Sequence, residues 1–210
     1  MWAQSCRPRP IAKLYTRPRH GTRMDRSEIV DTYLSSHVVK KGDYDYFVNP
    51  ISEGNPAIGR RLLDQITDCI IELCDMDCDV IIAPEAMAIQ YGAVLTMKTG
   101  IPFQIVRKRG TGLPSEIVFT TKTGYGESRM YVSSLERGTK VMIVDDVIST
   151  GGTMVSMVRT LREHGIVVKE AAVVLNRSDD VGAISEKAGI PIRTVLDVGI
   201  EDGRPVVRDL

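Results

Sequence analysis

Two adjacent carboxylates, Asp145 and Asp146, are followed two residues later by Ser149-Thr150-Gly151-Gly152-Thr153. Carboxylates only accept hydrogen bonds, and a vicinal diol offers two hydroxyl donors that a neighbouring acid pair can receive. The loop has the opposite chemistry. Gly151 and Gly152 permit dihedrals and close approaches that a Cβ forbids, so several amide N–H groups can converge on one phosphate. Hydroxyls of Ser149, Thr150 and Thr153 add donors, and a helix starting there adds unpaired N–H groups and the positive end of its dipole. Diol acceptors beside a phosphate cradle make a site for a sugar phosphate, and a ribose 5-phosphate carries both groups at about that separation. The plain alternative is an ordinary strand-to-helix turn with a Ser/Thr cap.

Such a site needs a rigid strand before it and a helix after it. Val141, Met142, Ile143 and Val144 form a short apolar run of the kind buried on both faces of a parallel sheet, which puts the acids at its carboxyl end. Met154, Val155, Val158 and Leu161 recur at helical spacing behind the loop. The chain has no GxxxxGK[ST] phosphate loop, and GTGLPS at 110–115 lacks the third glycine of a dinucleotide fingerprint. Further along the chain the periodicity predicts helices over 27–34, 59–73 and 89–97, and strands over 44–48, 80–82, 101–106 and 170–175. Alternating βα units imply a mainly parallel sheet covered by helices, with ligands at the carboxyl ends of its strands.

Three more stretches fall at such ends. Ala83-Pro84-Glu85-Ala86-Met87 follows the strand over 80–82; its small residues suit a loop that binds through backbone N–H groups or one that merely starts a helix. Arg107-Lys108-Arg109 follows the strand over 101–106 and suits an anion, or a solvated strand end. From Gly110 to Tyr131 a glycine-punctuated excursion returns as strands around 117–121 and 130–132, the pattern of a surface hairpin or of a lid over a site that must exclude water.

The run VMIVDDVISTGGT resembles the phosphoribosyl-pyrophosphate (PRPP) signature of the type I phosphoribosyltransferases. With NPIS at 49–52, APEAM at 83–87, TGIPF at 99–103, RKR at 107–109 and TGYG at 123–126, the chain is similar to the archaeal hypoxanthine/guanine group of that family, which lies near the adenine enzymes. The resemblance implies the type I fold, with a flexible hairpin as hood. It implies Mg²⁺-dependent transfer of the 5-phosphoribosyl group from PRPP to hypoxanthine or guanine, giving IMP or GMP and pyrophosphate. Asp145 and Asp146 would hold the ribose 2- and 3-hydroxyls and meet the metal through PRPP or water. Val147, Ile148, Ser149, Thr150, Gly151, Gly152 and Thr153 would hold the 5-phosphate, and Ala83, Pro84, Glu85, Ala86, Met87, Arg107 and Lys108 the pyrophosphate. Related adenine enzymes usually have Arg-Gly where Met87-Ala88 stand. Many 6-oxopurine enzymes place an Asp where Ser149 stands, and adenine enzymes often place a Glu where Gly124 stands, so Glu116 is the substitute candidate for acid–base help. Asn176 occupies the place of a Lys that faces purine O6. Adenine specificity and a non-catalytic PRPP-sensing regulator remain the alternatives.

The 210 residues suffice for one domain with a real core, and 43% hydrophobic with 26% charged residues are ordinary for a globular protein. Residues 1–23 hold six Lys or Arg, three prolines and no acid, leaving 21 basic against 27 acidic residues in the remainder, a net of −6. That balance argues against nucleic-acid binding, which needs a basic face. The N-terminal stretch reads as a translation start misplaced before Met24, as a disordered extension or as a transit peptide, in that order, with a single domain over 24–210. No apolar run approaches a membrane span. Cys69, Cys74 and Cys78 cluster without zinc spacing, as thiols of a reducing cytoplasm do. The resemblance further implies a homodimer.

Overall fold

The computed structural model describes residues 24–42, 44–123, 126–133 and 135–208; the expected extension over 1–23 and Cys6 lie outside them. Helix α1 (Ser27–Leu34) leads into an antiparallel ribbon of β1 (His37–Lys41) and β2 (Tyr44–Val48). A short helix α2 (Pro50–Glu53) follows, capped by Asn49, whose Oδ1 accepts from the N–H groups of Ile51 and Ser52. Then come α3 (Arg60–Leu73), β3 (Val80–Pro84), α4 (Ala88–Thr99), β4 (Phe103–Val106), β5 (Ile117–Thr123), β6 (Gly126–Val132), β7 (Lys140–Ile148) and α5 (Gly152–Glu163). The chain closes with β8 (Val167–Asn176), α6 (Val181–Ala188), β9 (Ile192–Glu201) and β10 (Arg204–Val207).

Six strands form one sheet in the order β10-β9-β8-β7-β3-β4, parallel except for the antiparallel β10. The centre of that sheet explains the apolar run of β7. Met142 and Val144 face one core, with α1, α2, α3 and α4, while Val141 and Ile143 face the other, with α5, α6 and the β5–β6 hairpin. All four are within 1% of full burial, so a strand of consecutive apolar residues satisfies both layers at once.

Chain direction across the sheet reverses between β3 and β7. From β3 the chain moves outward through α4 to β4; from β7 it moves the other way, through α5 to β8 and α6 to β9. The connecting helices therefore lie on opposite faces, and a crevice opens at the carboxyl ends of β3 and β7, where such sheets receive ligands.

The hairpin β5–β6 is fastened at its stem. Phe119 is fully buried, Ile117 and Met130 nearly so, against Met154, Met157 and Val158 of α5, and the Ser156 hydroxyl donates to the Thr120 carbonyl at 2.8 Å. The excursion expected as a mobile hood thus has a base built into the second core; its tip residues Gly124 and Tyr125 lie outside the described set.

Candidate active site

The acid pair is not placed after its strand, as the sequence reading had it. Strand β7 continues through Asp145, Asp146 and Val147 to Ile148, held in register by β8 as far as Ile148 opposite Asn176. Hydrogen bonding to β8 overrides the loss of apolar pattern, because β8 stays apolar through Leu175 and keeps the ladder going. The loop proper is Ser149-Thr150-Gly151, with Gly152 already helical. Gly151 has φ +71°, and a Cβ there would lie 2.3 Å from Cγ2 of Ile184 on α6. Gly152 is different: a Cβ would meet nothing closer than the Thr150 hydroxyl at 3.9 Å. The fold itself therefore demands the first glycine, while the second is left open toward the concavity. Helix α5 presents its amino end at this point, with Gly152 and Thr153 exposed.

Burial pushes the Asp145 carboxyl well above the ordinary carboxylate range, and the Asp146 charge beside it adds to the rise. Burial raises Asp146 as well, and the charge of Glu53 adds to that rise. The Asp146 N–H donates to Asp145 Oδ1 at 3.0 Å, which fixes one carboxylate against the next backbone unit. Glu53 reaches this neighbourhood from α2, where its Oε1 accepts from the Tyr46 hydroxyl of β2. Tyr91 underlies the arrangement: fully buried, it donates to the Ile51 carbonyl at 3.0 Å, and burial followed by the Asp146 charge drives its phenol up. No ion pair joins either aspartate to Lys or Arg among the described residues. Such an uncompensated buried pair suits hydroxyl donors or a divalent cation arriving with the ligand.

Next to β7, strand β3 extends to Pro84, so Ala83 and Pro84 belong to the strand and the loop is Glu85-Ala86-Met87, with a cis peptide between Glu85 and Ala86. The Glu85 N–H donates to the Val106 carbonyl at 2.9 Å, and its carboxylate accepts from the Lys108 N–H at 2.7 Å. These two bonds join the β3 loop to the cation triplet. Arg107 exchanges backbone hydrogen bonds with Tyr131 of β6, at 2.8 and 2.7 Å, which anchors the hairpin to the same corner. Arg107, Lys108 and Arg109 are all exposed. Acid pair, phosphate-type loop, small-residue loop and cations thus line one edge formed by β7, β3 and β4.

Residues 56–191, from the loop before α3 to the residue before β9, match the family described as the phosphoribosyl transferase domain. The chain belongs to the phosphoribosyltransferase family. Its relatives include proteins named hypoxanthine/guanine phosphoribosyltransferase from Methanohalophilus mahii, 44% identical over 82% of this chain and 90% of the relative. Another from Methanosalsum zhilinae is 40% identical over 87% and 96%. Among solved structures, the adenine phosphoribosyltransferase of Thermoanaerobacter pseudethanolicus superposes with a TM-score of 0.65 at 21% identity, covering 81% of this chain and 98% of that one. The Saccharomyces cerevisiae enzyme gives 0.64 at 21%, covering 79% and 97%. These last two show the shared fold.

Within this phosphoribosyltransferase, two residues singled out from sequence are occupied by other partners. Asn176 is buried at the end of β8; its Oδ1 accepts from the N–H and hydroxyl of Ser178 at 3.0 and 2.6 Å, and its Nδ2 donates to Asp197 at 3.0 Å. The amide that sequence reasoning offered to a base is a brace between β8 and β9. Glu116 accepts from the Thr111 hydroxyl at 2.8 Å and from the N–H groups of Thr111 and Gly112, and the Thr111 N–H bond, foremost, holds its carboxyl below the usual range. It closes the 111–116 loop, and a lowered pKa makes it a weaker proton acceptor. Cys69 and Cys74 are buried free thiols and Cys78 is partly so, with burial pushing Cys69 and Cys78 up to about 12. Directly after β8, the Arg177 N–H donates to the Ile148 carbonyl at 2.8 Å and its guanidinium lies 5.7 Å from the ring centre of the buried Phe47, tying β8 to the end of β7.

Proposed function

We propose that this protein catalyses purine salvage, transferring the 5-phosphoribosyl group of PRPP to hypoxanthine or guanine to give IMP or GMP and pyrophosphate. Asp145 and Asp146 accept from the ribose 2- and 3-hydroxyls. The 5-phosphate sits at Val147 to Thr153, drawing on the loop N–H groups and the amino end of α5. Pyrophosphate lies against the 83–87 segment with Arg107 and Lys108, whose fixed charge stabilises the leaving group as the C1–O bond breaks. The β5–β6 hairpin serves as the hood that keeps water from the oxocarbenium-like centre.

The observation that carries this reading is the meeting of an uncompensated buried acid pair with a glycine-elbowed helix start at the point where the sheet reverses direction. The names of the relatives supply the base class. Mg²⁺ fits the donor set: two carboxylates with no cation of their own would hold it through PRPP or water, and it would supply charge neutralisation at the pyrophosphate. The proposal also includes a single catalytic domain over 24–210, a homodimeric assembly and a cytoplasmic place of work, all carried over from the family resemblance.

The test is nucleotide formation from PRPP and Mg²⁺ with hypoxanthine, guanine and adenine offered separately. Turnover of hypoxanthine or guanine is expected. Turnover of adenine alone would replace the base class, and PRPP binding without turnover of any base would make the protein a PRPP sensor.

A further inference from the structure

Glu116 sits where three pieces of chain meet: the loop that leaves the cation triplet, the start of β5 and the end of β6. Both its oxygens are in use. Oε1 accepts from the Thr111 hydroxyl at 2.8 Å and from the Thr111 N–H, Oε2 accepts from the Gly112 N–H at 3.1 Å, and the Ser133 hydroxyl just past β6 donates to the carboxylate as well. Gly110, the residue after the triplet, makes room for this clasp. A Cβ there would lie 2.9 Å from Glu116 Oε2 and 3.1 Å from Cδ1 of Tyr131. Tyr131 is also the residue whose backbone holds Arg107. The triplet is thus bracketed by two ties to one hairpin, Arg107 on Tyr131 and Thr111 on Glu116, and the hairpin is itself seated on α5 through the fully buried Phe119.

We propose that Glu116 is a positioning residue for pyrophosphate, holding the backbone that carries Arg107, Lys108 and Arg109 at a fixed place beside the β3 loop; this rests on the pyrophosphate placement proposed above. The carboxylate then acts with two opposite signs. Its charge repels a pyrophosphate, but in solvent that repulsion is screened and small. Its clasp keeps the loop from wandering, so the ordering of three cations does not have to be met at the moment of binding. Position therefore outweighs charge. Glu85 marks the contrast: it accepts a single N–H from Lys108, and a neutral amide oxygen can do the same. Glu116 cannot be replaced that way, because glutamine has one oxygen and would turn amide hydrogens toward N–H donors.

Two substitutions separate position from charge. Glu116→Gln removes the charge and the clasp together, whereas Gly110→Ala keeps the charge and displaces the carboxylate, since the added Cβ meets the far end of that side chain first. Calorimetric titration of the full chain with pyrophosphate and with ribose 5-phosphate, both in Mg²⁺, reads the difference. Each variant is expected to weaken pyrophosphate by about fivefold to tenfold and to leave ribose 5-phosphate within about twofold. The melting temperature should stay within about 2 °C. In an Arg107→Ala/Lys108→Ala background the further loss should shrink to within about twofold, because the clasp acts through those cations. Pyrophosphate binding that is unchanged or tighter in Glu116→Gln, or unchanged in Gly110→Ala, overturns the assignment. So does a loss that persists undiminished in the alanine background, or equal weakening of both ligands with a lowered melting temperature. A wild type that binds ribose 5-phosphate but not pyrophosphate overturns this role alone, and one that binds neither removes the phosphoribosyl site on which it rests.

Discussion

Two strands apart on one sheet edge, the end of β7 and the end of β4 carry opposite charges in opposite conditions. Asp145 and Asp146 are partly buried within a paired strand; burial raises the proton affinity of both, and the Asp146 charge raises that of Asp145 further. Arg107, Lys108 and Arg109 lie in solvent, and only their backbone is held, by Tyr131 and by Glu85. Like charges held close in a dry place cost stability when empty and are relieved when donors or a cation arrive. Exposed cations cost little when empty and gain only a screened attraction when filled. The acid end is thus preorganised at the fold's expense, as functional sites tend to be, and the cationic end is not.

The largest effect is expected where that expense is greatest. In Asp145→Asn/Asp146→Asn, affinity for ribose 5-phosphate should fall about a hundredfold or more, since two charge-assisted hydrogen bonds weaken. Stability should move the other way. Folded-state pKa values of both acids lie above the value of about 3.9 for an unfolded Asp. Below that value both states are protonated and nothing is lost. As pH rises, the unfolded chain ionises first, so folding stability falls until pH passes the folded values. The double variant should melt higher at pH 7, by about 2–4 °C for each kcal/mol recovered, and the gap should close as pH drops toward about 4. A variant that melts lower at pH 7 would break the contrast between the two ends.

The cationic end should respond less and only in function. Arg107→Ala/Lys108→Ala is expected to weaken PRPP about tenfold, by losing one charge-assisted contact to pyrophosphate, while ribose 5-phosphate binds as before. Its melting temperature should hold, because exposed side chains outside special contacts change stability by about 0.5 kcal/mol at most. Titration with both ligands at low and high salt separates the cases, since only the PRPP difference should shrink with salt.

The same division governs how much could be read from sequence. Helices α1, α3, α4 and α5 and the strands β2 to β8 follow from the sequence pattern, because burial dictates residue type wherever an element faces a core. The motifs fell at strand ends for the same reason. What escaped was set by tertiary pairing. The extension of β7 through two acids depends on β8 lying alongside, which no local pattern reveals. Helix α6, strands β9 and β10 and the β1 strand also went unrecognised, although Asp180, whose carboxylate accepts from the Ala183 N–H at 2.9 Å, and Gly189 in the left-handed region mark both ends of α6. Asn176 and Glu116 show the limit most plainly. Their types suited a base contact and a proton acceptor, but sequence does not disclose that Ser178, Asp197, Thr111 and Gly112 already use their polar atoms.

Glu85 supplies the smallest and sharpest test, because it is an anion sitting where pyrophosphate is proposed to bind. Its carboxylate is there to accept the Lys108 N–H at 2.7 Å and so to hold the β3 loop against the β4 end. That bond needs an oxygen, not a charge. Glu85→Gln keeps the acceptor and removes a negative charge from the neighbourhood of the cations, so pyrophosphate should bind slightly tighter, by about twofold, within the range of exposed charge interactions. Glu85→Ala removes the acceptor too and should bind more weakly than Gln despite carrying the same charge. Pyrophosphate titration of both variants at two salt concentrations distinguishes tie from charge: the gain in Gln should fade with salt, and the deficit of Ala relative to Gln should persist. If Ala bound as well as Gln, the hydrogen bond would contribute nothing to the site, and the cationic end would owe its whole affinity to side chains that the fold leaves in water.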